Sequence, residues 1–247
     1  MMTSFIIQAR LGSTRLPNKV LLPFFNEKNI ITIIIEKLKR IPNSDIIMAT
    51  TSCERDQPLV DIANKLNIKS FCGSENDVLK RFIDAAHHFD AKRIVRICSD
   101  NPFLDLESMK ALVEASEKSE CDYISFKVNG KPSIKTHFGF WAEYVTLEAL
   151  EKVQATTNEA LYHEHVTNFI YSHPNDYKIE WLNVPEALQG REDIRLTIDT
   201  QQDFIDAQDI YRHFGNEDTT IEKIINFVDE NPYLLTKMKG EISQNSK

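Results

Sequence analysis

The first half of the chain alternates short apolar runs with longer amphipathic stretches. Short runs of β-branched and aromatic residues between polar residues predict buried strands, whereas apolar residues three or four positions apart predict helices. The short runs place strands at residues 5–9, 45–51, 70–72, 93–98 and 122–126. The amphipathic stretches place helices at residues 28–41, 57–66, 76–89 and 106–118, the third capped by Ser74 or Asn76. Strands joined by helices form right-handed crossovers, so the pattern predicts an α/β fold around a mainly parallel sheet.

The second half of the chain has a less regular pattern. An extended segment is predicted at residues 137–144, and strands are predicted at 177–184 and 194–198. Helices are predicted at residues 147–153, 159–172, 201–214 and 220–230. We interpret residues 1–236 as a single domain, with a small arm at about 130–190, and residues 237–247 as a polar, frayed tail.

The loop after the first predicted strand has the composition of a phosphate-binding loop. It carries three cations within ten residues, together with three small residues: Arg10, Arg15, Lys19, Gly12, Ser13 and Thr14. Small residues let backbone N–H groups and hydroxyls turn towards one point, and fixed cations bind phosphate oxygens. The spacing of a Walker A loop is missing, and a dinucleotide fingerprint needs three glycines. The alternative is a basic surface loop, although such loops seldom follow a buried strand directly.

Two aspartates each follow a predicted strand. Asp100 comes after the strand at 93–98, and Asp199 comes after the strand at 194–198. Each is also a suitable cap for the turn or helix that comes next, and the residues alone leave that alternative open. Mg²⁺ commonly takes one or two carboxylates together with phosphate oxygens and water. Because ligands of parallel sheets bind at the carboxyl ends of the strands, the two aspartates form a candidate metal site beside the phosphate loop.

Composition narrows the class of protein. The chain has 247 residues, of which 42% are hydrophobic and 27% are charged, as in an ordinary globular protein. A net charge of −8 argues against nucleic acid as a partner but allows a small anionic ligand at local cations. No apolar run reaches the roughly 18 residues of a membrane span, and the amino-terminal residues lack the basic region of a signal peptide. We therefore expect a cytoplasmic protein without a membrane partner.

The cysteine and histidine spacings favour no metal cluster. The cysteines at 53, 72, 98 and 121 show no Cys-x-x-Cys spacing and lie in or beside strand-like runs, so we expect them to be reduced and buried. His163 and His165 are two positions apart, which is not the spacing of a helical zinc pair.

Five segments of the chain resemble one family. Residues 7–19 resemble the N-terminal signature of the cytidylyltransferases that activate sugar acids as CMP-sugars, among them the acylneuraminate and 3-deoxy-manno-octulosonate enzymes. The pattern follows the branch called spore coat polysaccharide biosynthesis protein F. Residues 73–82 resemble the family's Gly-Ser-x-x-Asp-Val-Leu-x-Arg segment, and residues 96–103 resemble its Gly-Asp-x-Pro motif. Residues 162–167 resemble the branch's Arg-Glu-His-Val-Thr motif, and residues 195–203 resemble the family's Asp-Thr-x-x-Asp segment.

The resemblance implies a fold, a reaction and a set of site residues. The fold is the Rossmann-like, three-layer fold of nucleotide-diphospho-sugar transferases (GT-A-like), and the reaction is Mg²⁺-dependent transfer from CTP to a sugar acid by a homodimer. Asp100 and Asp199 would bind the metal and act in catalysis with Arg10 and Lys19. The implied nucleotide-binding residues are Ala9, Arg10, Leu11, Gly12, Ser13, Arg15, Lys19, Gly73, Ser74, Asp77, Ser99 and Asp100. The implied substrate-binding residues are Asn101, Phe140, Glu143, His163, Glu164 and His165.

The chain departs from the family pattern at two positions. Ser99 stands where glycine is more common, which adds a Cβ and a hydroxyl near the nucleotide, and His163 stands where arginine is usual. Two other functions stay open: a nucleotide-sugar glycosyltransferase or an enzyme using another NTP, and a catalytically silent nucleotide-binding subunit. The Asp-x-Asp motif of many glycosyltransferases is absent, and the retained Asp100 and Asp199 argue against a silent subunit.

Overall fold

The computed structural model describes residues 2–215 and 219–245. Ten strands and ten α-helices lie within these ranges. The strands are β1 (Thr3–Gln8), β2 (Pro23–Phe25), β3 (Lys28–Asn29), β4 (Ser44–Thr51), β5 (Lys69–Gly73), β6 (Arg93–Cys98), β7 (Tyr123–Val128), β8 (Lys131–Pro132), β9 (Glu143–Thr146) and β10 (Ile179–Leu182). The helices are α1 (Ile30–Leu38), α2 (Gln57–Lys65), α3 (Val78–His88), α4 (Leu106–Lys118), α5 (Leu147–Thr156), α6 (Ala160–Glu164), α7 (Asn168–Ser172), α8 (Gln201–Phe214), α9 (Ile221–Asp229) and α10 (Pro232–Gln244).

The main sheet has the strand order β10-β7-β9-β6-β1-β4-β5, and β8 pairs with β7. β1 is parallel to β4 on one side and to β6 on the other. The edge strands are also parallel to their neighbours, β5 to β4 and β10 to β7. β9 is antiparallel to both of its neighbours, β6 and β7. The prediction of a mainly parallel sheet is confirmed. The direction of strand addition reverses at β1, and a switch point of this kind opens a crevice at the carboxyl ends of the strands.

Alternating side chains explain why β1 lies in the middle of the sheet. Phe5 and Ile7 belong to the core on one side of the sheet, and Ile6 belongs to the core on the other side. All three side chains are fully buried, as expected for a strand covered by helices on both faces. α1 packs on the first face and begins where the Asn29 side chain accepts a hydrogen bond from the Thr32 N–H.

The first half of the chain folds close to expectation. Each strand and helix predicted there is present, with bounds that differ by at most three residues. The predicted cap of α3 is wrong, because the carboxylate of Asp77 accepts the Lys80 N–H at 2.8 Å, while Ser74 accepts the N–H of Asp77 itself. The β2–β3 hairpin and β8 were not predicted, since strands of two or three residues carry no periodic pattern.

The second half departs further from expectation. The predicted helix at 159–172 is two short helices, α6 and α7. The predicted strand at 194–198 is wrong, because these residues form no regular secondary structure and lie outside the sheet. Residues 194–198 instead contact the segment around His137, whose carbonyl accepts the Leu196 N–H at 2.8 Å. Gly139 has a φ of +69°, and a Cβ there would come within 3.3 Å of the Leu196 backbone. Glycine therefore allows the two segments to approach backbone to backbone.

The expectation of a frayed tail is wrong for most of its length, because α10 continues to Gln244. Its last turns contact the body of the protein: Glu241 accepts a hydrogen bond from the Thr200 hydroxyl at 3.0 Å, and Asn245 accepts one from Arg15 at 3.2 Å. Residues 246 and 247 of the predicted tail lie outside the described residues. No helix within 2–215 and 219–245 is long and apolar enough to cross a membrane.

Candidate active site

The predicted phosphate loop leaves β1 at the carboxyl edge of the sheet, beside the switch point. The carboxylate of Asp56 accepts the Leu11 N–H at 2.7 Å and also accepts the hydroxyl hydrogen of Thr51, the last residue of β4. Asp56 is fully buried, so these bonds are shielded from water. Asp56 therefore ties the start of the loop to the neighbouring strand, a role that sequence spacing does not reveal.

Lys19 lies between the two predicted metal aspartates. Its Nζ is 3.2 Å from Asp100 Oδ2 and 3.4 Å from Asp199 Oδ1, and it also donates to the carbonyl oxygen of Ile198. Burial alone would lower the pKa of Lys19, but the two carboxylates outweigh this effect and the pKa is raised. The ammonium group is thus held in its charged form between two carboxylates that would otherwise repel each other.

Arg15 and Arg10 extend from the same loop. Arg15 NH2 lies 3.0 Å from Asp199 Oδ1. Arg10 NH1 donates to the carbonyl of Glu75 at 3.4 Å, and its NH2 lies 3.9 Å from the Glu164 carboxylate. Both guanidinium groups remain partly exposed, so these ion pairs are weak and can exchange for phosphate oxygens.

Arg55 adds a fourth cation beside the phosphate loop. It pairs with Glu75 and lies over Gly12, where an added Cβ would come within 3.2 Å of its NH2. Arg55 belongs to a short 3₁₀ turn after β4, far from the loop in sequence, so no local motif predicted it. The predicted cations therefore form part of a larger positive group at the crevice.

The oxygen atoms around Lys19 suit a hard divalent cation. Three of them, from Asp100, Asp199 and Ile198, already converge on one positive group. Carboxylate and carbonyl oxygens are ligands that Mg²⁺ accepts, with phosphate and water completing its coordination. Among the described residues, no cluster of three or more His, Cys, Asp or Glu side chains is placed to hold a metal. The residues present thus fit a metal that takes its other ligands from a bound nucleotide.

A buried ion-pair network lies behind Asp199. Nε and NH2 of Arg195 donate to the Asp203 carboxylate at 2.7 and 2.8 Å, and NH2 also lies 3.3 Å from Asp199 Oδ2. Burial would raise the pKa of Asp203, but the bonds from Arg195 outweigh it and the pKa is lowered. Arg195 NH1 lies 2.7 Å from His137 Nδ1, which must be the acceptor because a guanidinium only donates. Sequence reasoning assigned no role to Arg195, because neither its burial nor its contact with the distant His137 can be read from local spacing.

Arg81 is fully buried at the base of the predicted nucleotide pocket. Its NH1 donates to the carbonyl of Ser74 at 2.5 Å, while Nε and NH2 have no hydrogen-bond partner among the described residues. Gly73 permits this packing, because an added Cβ would come within 3.0 Å of the Arg81 side chain. Burial, and to a lesser extent repulsion by Arg10, lowers the pKa of Arg81 to about 10, so the group stays charged at neutral pH.

Asp77 and His163 connect the predicted nucleotide side of the crevice to the predicted acceptor side. His163 Nδ1 is 2.8 Å from Asp77 Oδ2, and its Nε2 is 2.9 Å from the carbonyl oxygen of Thr157. Both partners are acceptors, so both ring nitrogens carry hydrogen in this geometry. The hydrogen bond to the Thr157 carbonyl raises the pKa of His163, and the contact with Asp77 raises it further. Burial lowers the pKa, but by less, so the net change is upward. A cation therefore stands at the motif position where the branch has arginine.

Two of the predicted substrate-binding residues lie in the core. Phe140 is fully buried against Trp141, and Glu143 is 1% exposed. Glu143 accepts a hydrogen bond from Arg96 NH1 at 2.6 Å and another from the Tyr123 hydroxyl. The structure corrects the prediction of direct sugar contacts for both side chains. Glu143 instead neutralises Arg96, a buried cation that would be costly to leave unpaired.

The remaining predicted residues line the crevice unevenly. Glu164 and His165 are exposed at the end of α6. Asn101 is buried, and within residues 2–215 and 219–245 its Oδ1 has no hydrogen-bond partner. Some exposed surface remains on six of the predicted nucleotide-binding residues: Gly12, Ser13, Gly73, Ser74, Asp77 and Ser99. Ala9 and Leu11 are buried, so only their main chain can face a ligand.

The expectation of buried cysteines is wrong: all four are free thiols, but Cys72 is exposed and the others are half-buried.

A switch-point crevice lined by loop cations and paired carboxylates defines a nucleotide-binding α/β enzyme of the nucleotidyltransferase type. The family model for cytidylyltransferases matches residues 4–239. An uncharacterized protein of Methanocaldococcus jannaschii is 41% identical over 230 residues, covering 93% of this chain and 91% of that protein. The spore coat polysaccharide biosynthesis protein SpsF of Bacillus subtilis is 30% identical over 246 residues, covering 96% of this chain and 98% of SpsF.

A solved structure gives the same result. A cytidylyltransferase from Leptospira borgpetersenii superposes with a TM-score of 0.81 at 27% identity, covering 95% of this chain and 97% of that one. The chain belongs to the cytidylyltransferase family, and the sequence-based resemblance is confirmed.

Proposed function

We propose that this protein transfers CMP from CTP to a hydroxyl group of a sugar acid, in a Mg²⁺-dependent reaction that gives a CMP-sugar and pyrophosphate. The observation that carries the proposal is the position of Lys19, whose ammonium contacts both Asp100 and Asp199. Lys19 ends a loop that also carries Arg10 and Arg15. Cations suited to a triphosphate and carboxylates suited to a metal therefore share one crevice.

The reaction forms and breaks one bond at the α-phosphorus. The acceptor hydroxyl loses its proton, and its oxygen bonds to the α-phosphorus. The bond from that phosphorus to the oxygen bridging it to the β-phosphate breaks, and pyrophosphate leaves with the electron pair. Because the protein has little covalent chemistry to perform, positioning and charge neutralisation carry the rate. In this proposal Arg10, Arg15 and Lys19 bind the phosphate oxygens and steady the pyrophosphate.

Asp100 and Asp199 are proposed to hold the metal. A bound Mg²⁺ neutralises phosphate charge and lowers the pKa of the attacking hydroxyl. The support from this chain is that oxygens of both side chains reach one cation, the Lys19 ammonium. Lys19 belongs to the phosphate loop, so its ammonium can reach phosphate oxygens. In this proposal it leaves the two aspartates and binds these oxygens once Mg²⁺ and CTP are both present.

The two ends of the crevice are proposed to bind different parts of the substrates. Residues 73–77 and Ser99 would face the nucleoside, in keeping with the family motifs at these positions. Arg81 supports this assignment, since its buried side chain holds the Ser74 carbonyl in place. Asn101, His163, Glu164 and His165 would face the sugar acid, and the positive charge on His163 suits a carboxylate.

The setting of the reaction is carried over from the family pattern. We propose that the CMP-sugar serves the synthesis of a surface polysaccharide or glycan, as the name of the SpsF relative suggests. We also propose that the enzyme acts as a homodimer in the cytoplasm.

The test is pyrophosphate release from each of CTP, UTP, ATP and GTP, with Mg²⁺ and a panel of 2-keto sugar acids. We expect release with CTP and one acid, and none when Mg²⁺ is replaced by a chelator. Release with another nucleotide but not with CTP would contradict the proposal. CTP binding measured by calorimetry, without release for any acid, would favour a silent subunit.

A further inference from the structure

The Arg195–Asp203 ion pair is tied to Asp199 in two ways. The Arg195 side chain is 0% exposed, and its guanidinium group donates two hydrogen bonds of 2.7 and 2.8 Å to the Asp203 carboxylate. From this fixed position Arg195 NH2 reaches Asp199 Oδ2 at 3.3 Å. Asp203 Oδ2 in turn accepts the main-chain N–H of Asp199 at 2.9 Å. The pair thus restrains both the backbone and the carboxylate of Asp199.

The two oxygens of Asp199 consequently face different surroundings. Oδ2 faces the buried guanidinium of Arg195, while Oδ1 faces the crevice, 3.0 Å from Arg15 NH2 and 3.4 Å from Lys19 Nζ. A carboxylate held by one oxygen cannot rotate to offer both oxygens to the crevice without losing that contact. Arginine suits this role because its planar fork keeps two directions fixed at once, which a lysine ammonium cannot do.

We infer that Arg195 is the positioning residue of the metal site, fixing the Asp199 carboxylate so that Oδ1 alone is presented to the metal. The inference rests on the proposed function, in which Asp199 is a metal ligand, and adds a residue outside the phosphate loop and the two aspartates. Groups that orient metal ligands in this way typically change metal affinity about 10–100-fold when they are replaced.

Arg191 provides a matched control within the same segment. It is also held by carboxylates, with Nε 2.7 Å from Asp193 and two further bonds of 2.8 and 3.0 Å to Asp229. Neither Asp193 nor Asp229 is a proposed metal ligand, so Arg191→Lys loses the same kind of paired hydrogen bonds without removing a group that contacts Asp199 in the proposal.

The experiment measures Mn²⁺ binding to the full-length protein with CTP present at the protein concentration, by the electron paramagnetic resonance signal of free Mn²⁺, after subtraction of the Mn²⁺ bound by the same CTP without protein. CTP affinity without metal and the melting temperature are measured on the same samples. For Arg195→Lys we expect Mn²⁺ binding weaker by about tenfold or more, with metal-free CTP affinity within about twofold of wild type. Arg191→Lys should match the wild type in both binding measurements.

Several outcomes would overturn the inference. Unchanged Mn²⁺ affinity in a folded Arg195→Lys protein would do so, as would an equal loss of metal-free CTP binding, which indicates a general structural role. If Arg195→Lys does not fold, Asp203→Asn replaces it; this variant removes the charge that anchors Arg195, and unchanged Mn²⁺ affinity there would also overturn the inference. A wild-type protein that binds CTP but no Mn²⁺ would overturn the proposed metal site and the role of Arg195 together.

Discussion

The main-chain N–H of Ile198 donates a hydrogen bond to the carbonyl oxygen of Asp100 at 3.0 Å. Ile198 directly precedes Asp199, so this bond joins the two segments that carry the predicted metal ligands. The segments are distant in sequence, yet a single backbone contact sets how far apart the two carboxylates can be. Side-chain substitutions at either aspartate leave this bond in place, which makes the pair suitable for mutational tests.

Asp100→Asn is expected to abolish turnover with little effect on folding. Losing a metal ligand removes several kcal/mol of charge stabilisation, which corresponds to a rate loss on the order of a hundredfold or more. Because the Asp100 side chain is 29% exposed, we expect the free energy of unfolding to change by less than about 1 kcal/mol. Pyrophosphate release and urea unfolding check the two parts. Activity near that of the wild type would remove Asp100 from the metal site.

The control for this variant is Asp105→Asn. Asp105 caps α4 by accepting the Ser108 N–H at 2.8 Å, and asparagine caps helices about as well as aspartate. The same change five residues away should therefore leave turnover near the wild-type rate.

Arg15→Ala is expected to weaken the binding of CTP much more than that of CMP. Hydrogen bonds to charged groups contribute about 1.5–3 kcal/mol, so losing a contact to the outer phosphates should raise the Kd for CTP at least about tenfold. CMP, which lacks those phosphates, should bind within about twofold of wild type. Calorimetry with each nucleotide makes the comparison. Equal losses for CTP and CMP would place Arg15 away from the outer phosphates.

Arg212→Ala is the matched control for Arg15→Ala. Its side chain is 59% exposed, close to the 52% of Arg15, and it also pairs with an aspartate, Asp209. A change in CTP affinity in this variant would indicate that loss of any surface charge is sufficient.

Lys19→Met is expected to make the stability of the protein depend on Mg²⁺. Without the ammonium group, Asp100 loses its ion pair with Lys19, while Asp199 keeps those with Arg15 and Arg195. The repulsion between the two carboxylates is then less well compensated, which should lower the melting temperature at neutral pH. Mg²⁺ can then replace the missing cation, so it should raise the melting temperature more in this variant than in the wild type. Equal shifts in both proteins would show that the two carboxylates do not share one cation site.

Lys237→Met tests whether this Mg²⁺ effect is specific. Lys237 lies 3.2 Å from Asp206, so its loss exposes one carboxylate rather than a pair. Mg²⁺ should therefore stabilise this variant no more than the wild type.

The stability contributed by His163 is expected to fall as pH rises. Its pKa in the folded protein is raised above the usual value of about 6.5, so the stabilisation is complete below about pH 6.5 and is lost as pH rises through the folded-state pKa. His163→Gln should therefore cost about 1 kcal/mol at pH 5.5 and less at pH 8. Urea unfolding of both proteins at the two pH values measures the difference. A cost that does not change with pH would contradict a charged His163.

The parts of the fold that could be predicted are those where one local pattern determines the outcome. β1 and β6 are covered on both faces, so apolar residues stand at consecutive positions in each strand and are easily recognised: Phe5, Ile6 and Ile7 in β1, and Ile94 and Val95 in β6. Asp100 follows β6, and the rule that ligands bind at carboxyl ends predicted that it would share a crevice with Asp199. The structure brings the two carboxylates together at Lys19, and their role as metal ligands stays a prediction. Each of these inferences needed only residues close together in the sequence.

The errors and omissions depend on contacts between distant segments. Glu143 was predicted to face a sugar, but β9 enters the sheet antiparallel to β6 and places Glu143 directly opposite Arg96. An opposite charge across two strands holds the side chain in the sheet, and the sequence of β9 alone contains no sign of its partner. Asp56 was missed for the same reason, because its partner Leu11 lies far away in the sequence. Arg195 was missed although Asp199 is close in the sequence, because only the fold shows that the two side chains meet.

The contact between Arg15 and Asn245 affects how this protein should be handled. Arg15 is a cation of the proposed phosphate loop, so a carboxyl-terminal tag or truncation that displaces Asn245 would also disturb that loop. Thr3 opens β1 at the opposite edge of the sheet, and six extended residues place it about 20 Å from the crevice. Purification through an amino-terminal tag leaves the crevice clear, whereas weak CTP binding by a carboxyl-terminal fusion would say little about the enzyme itself.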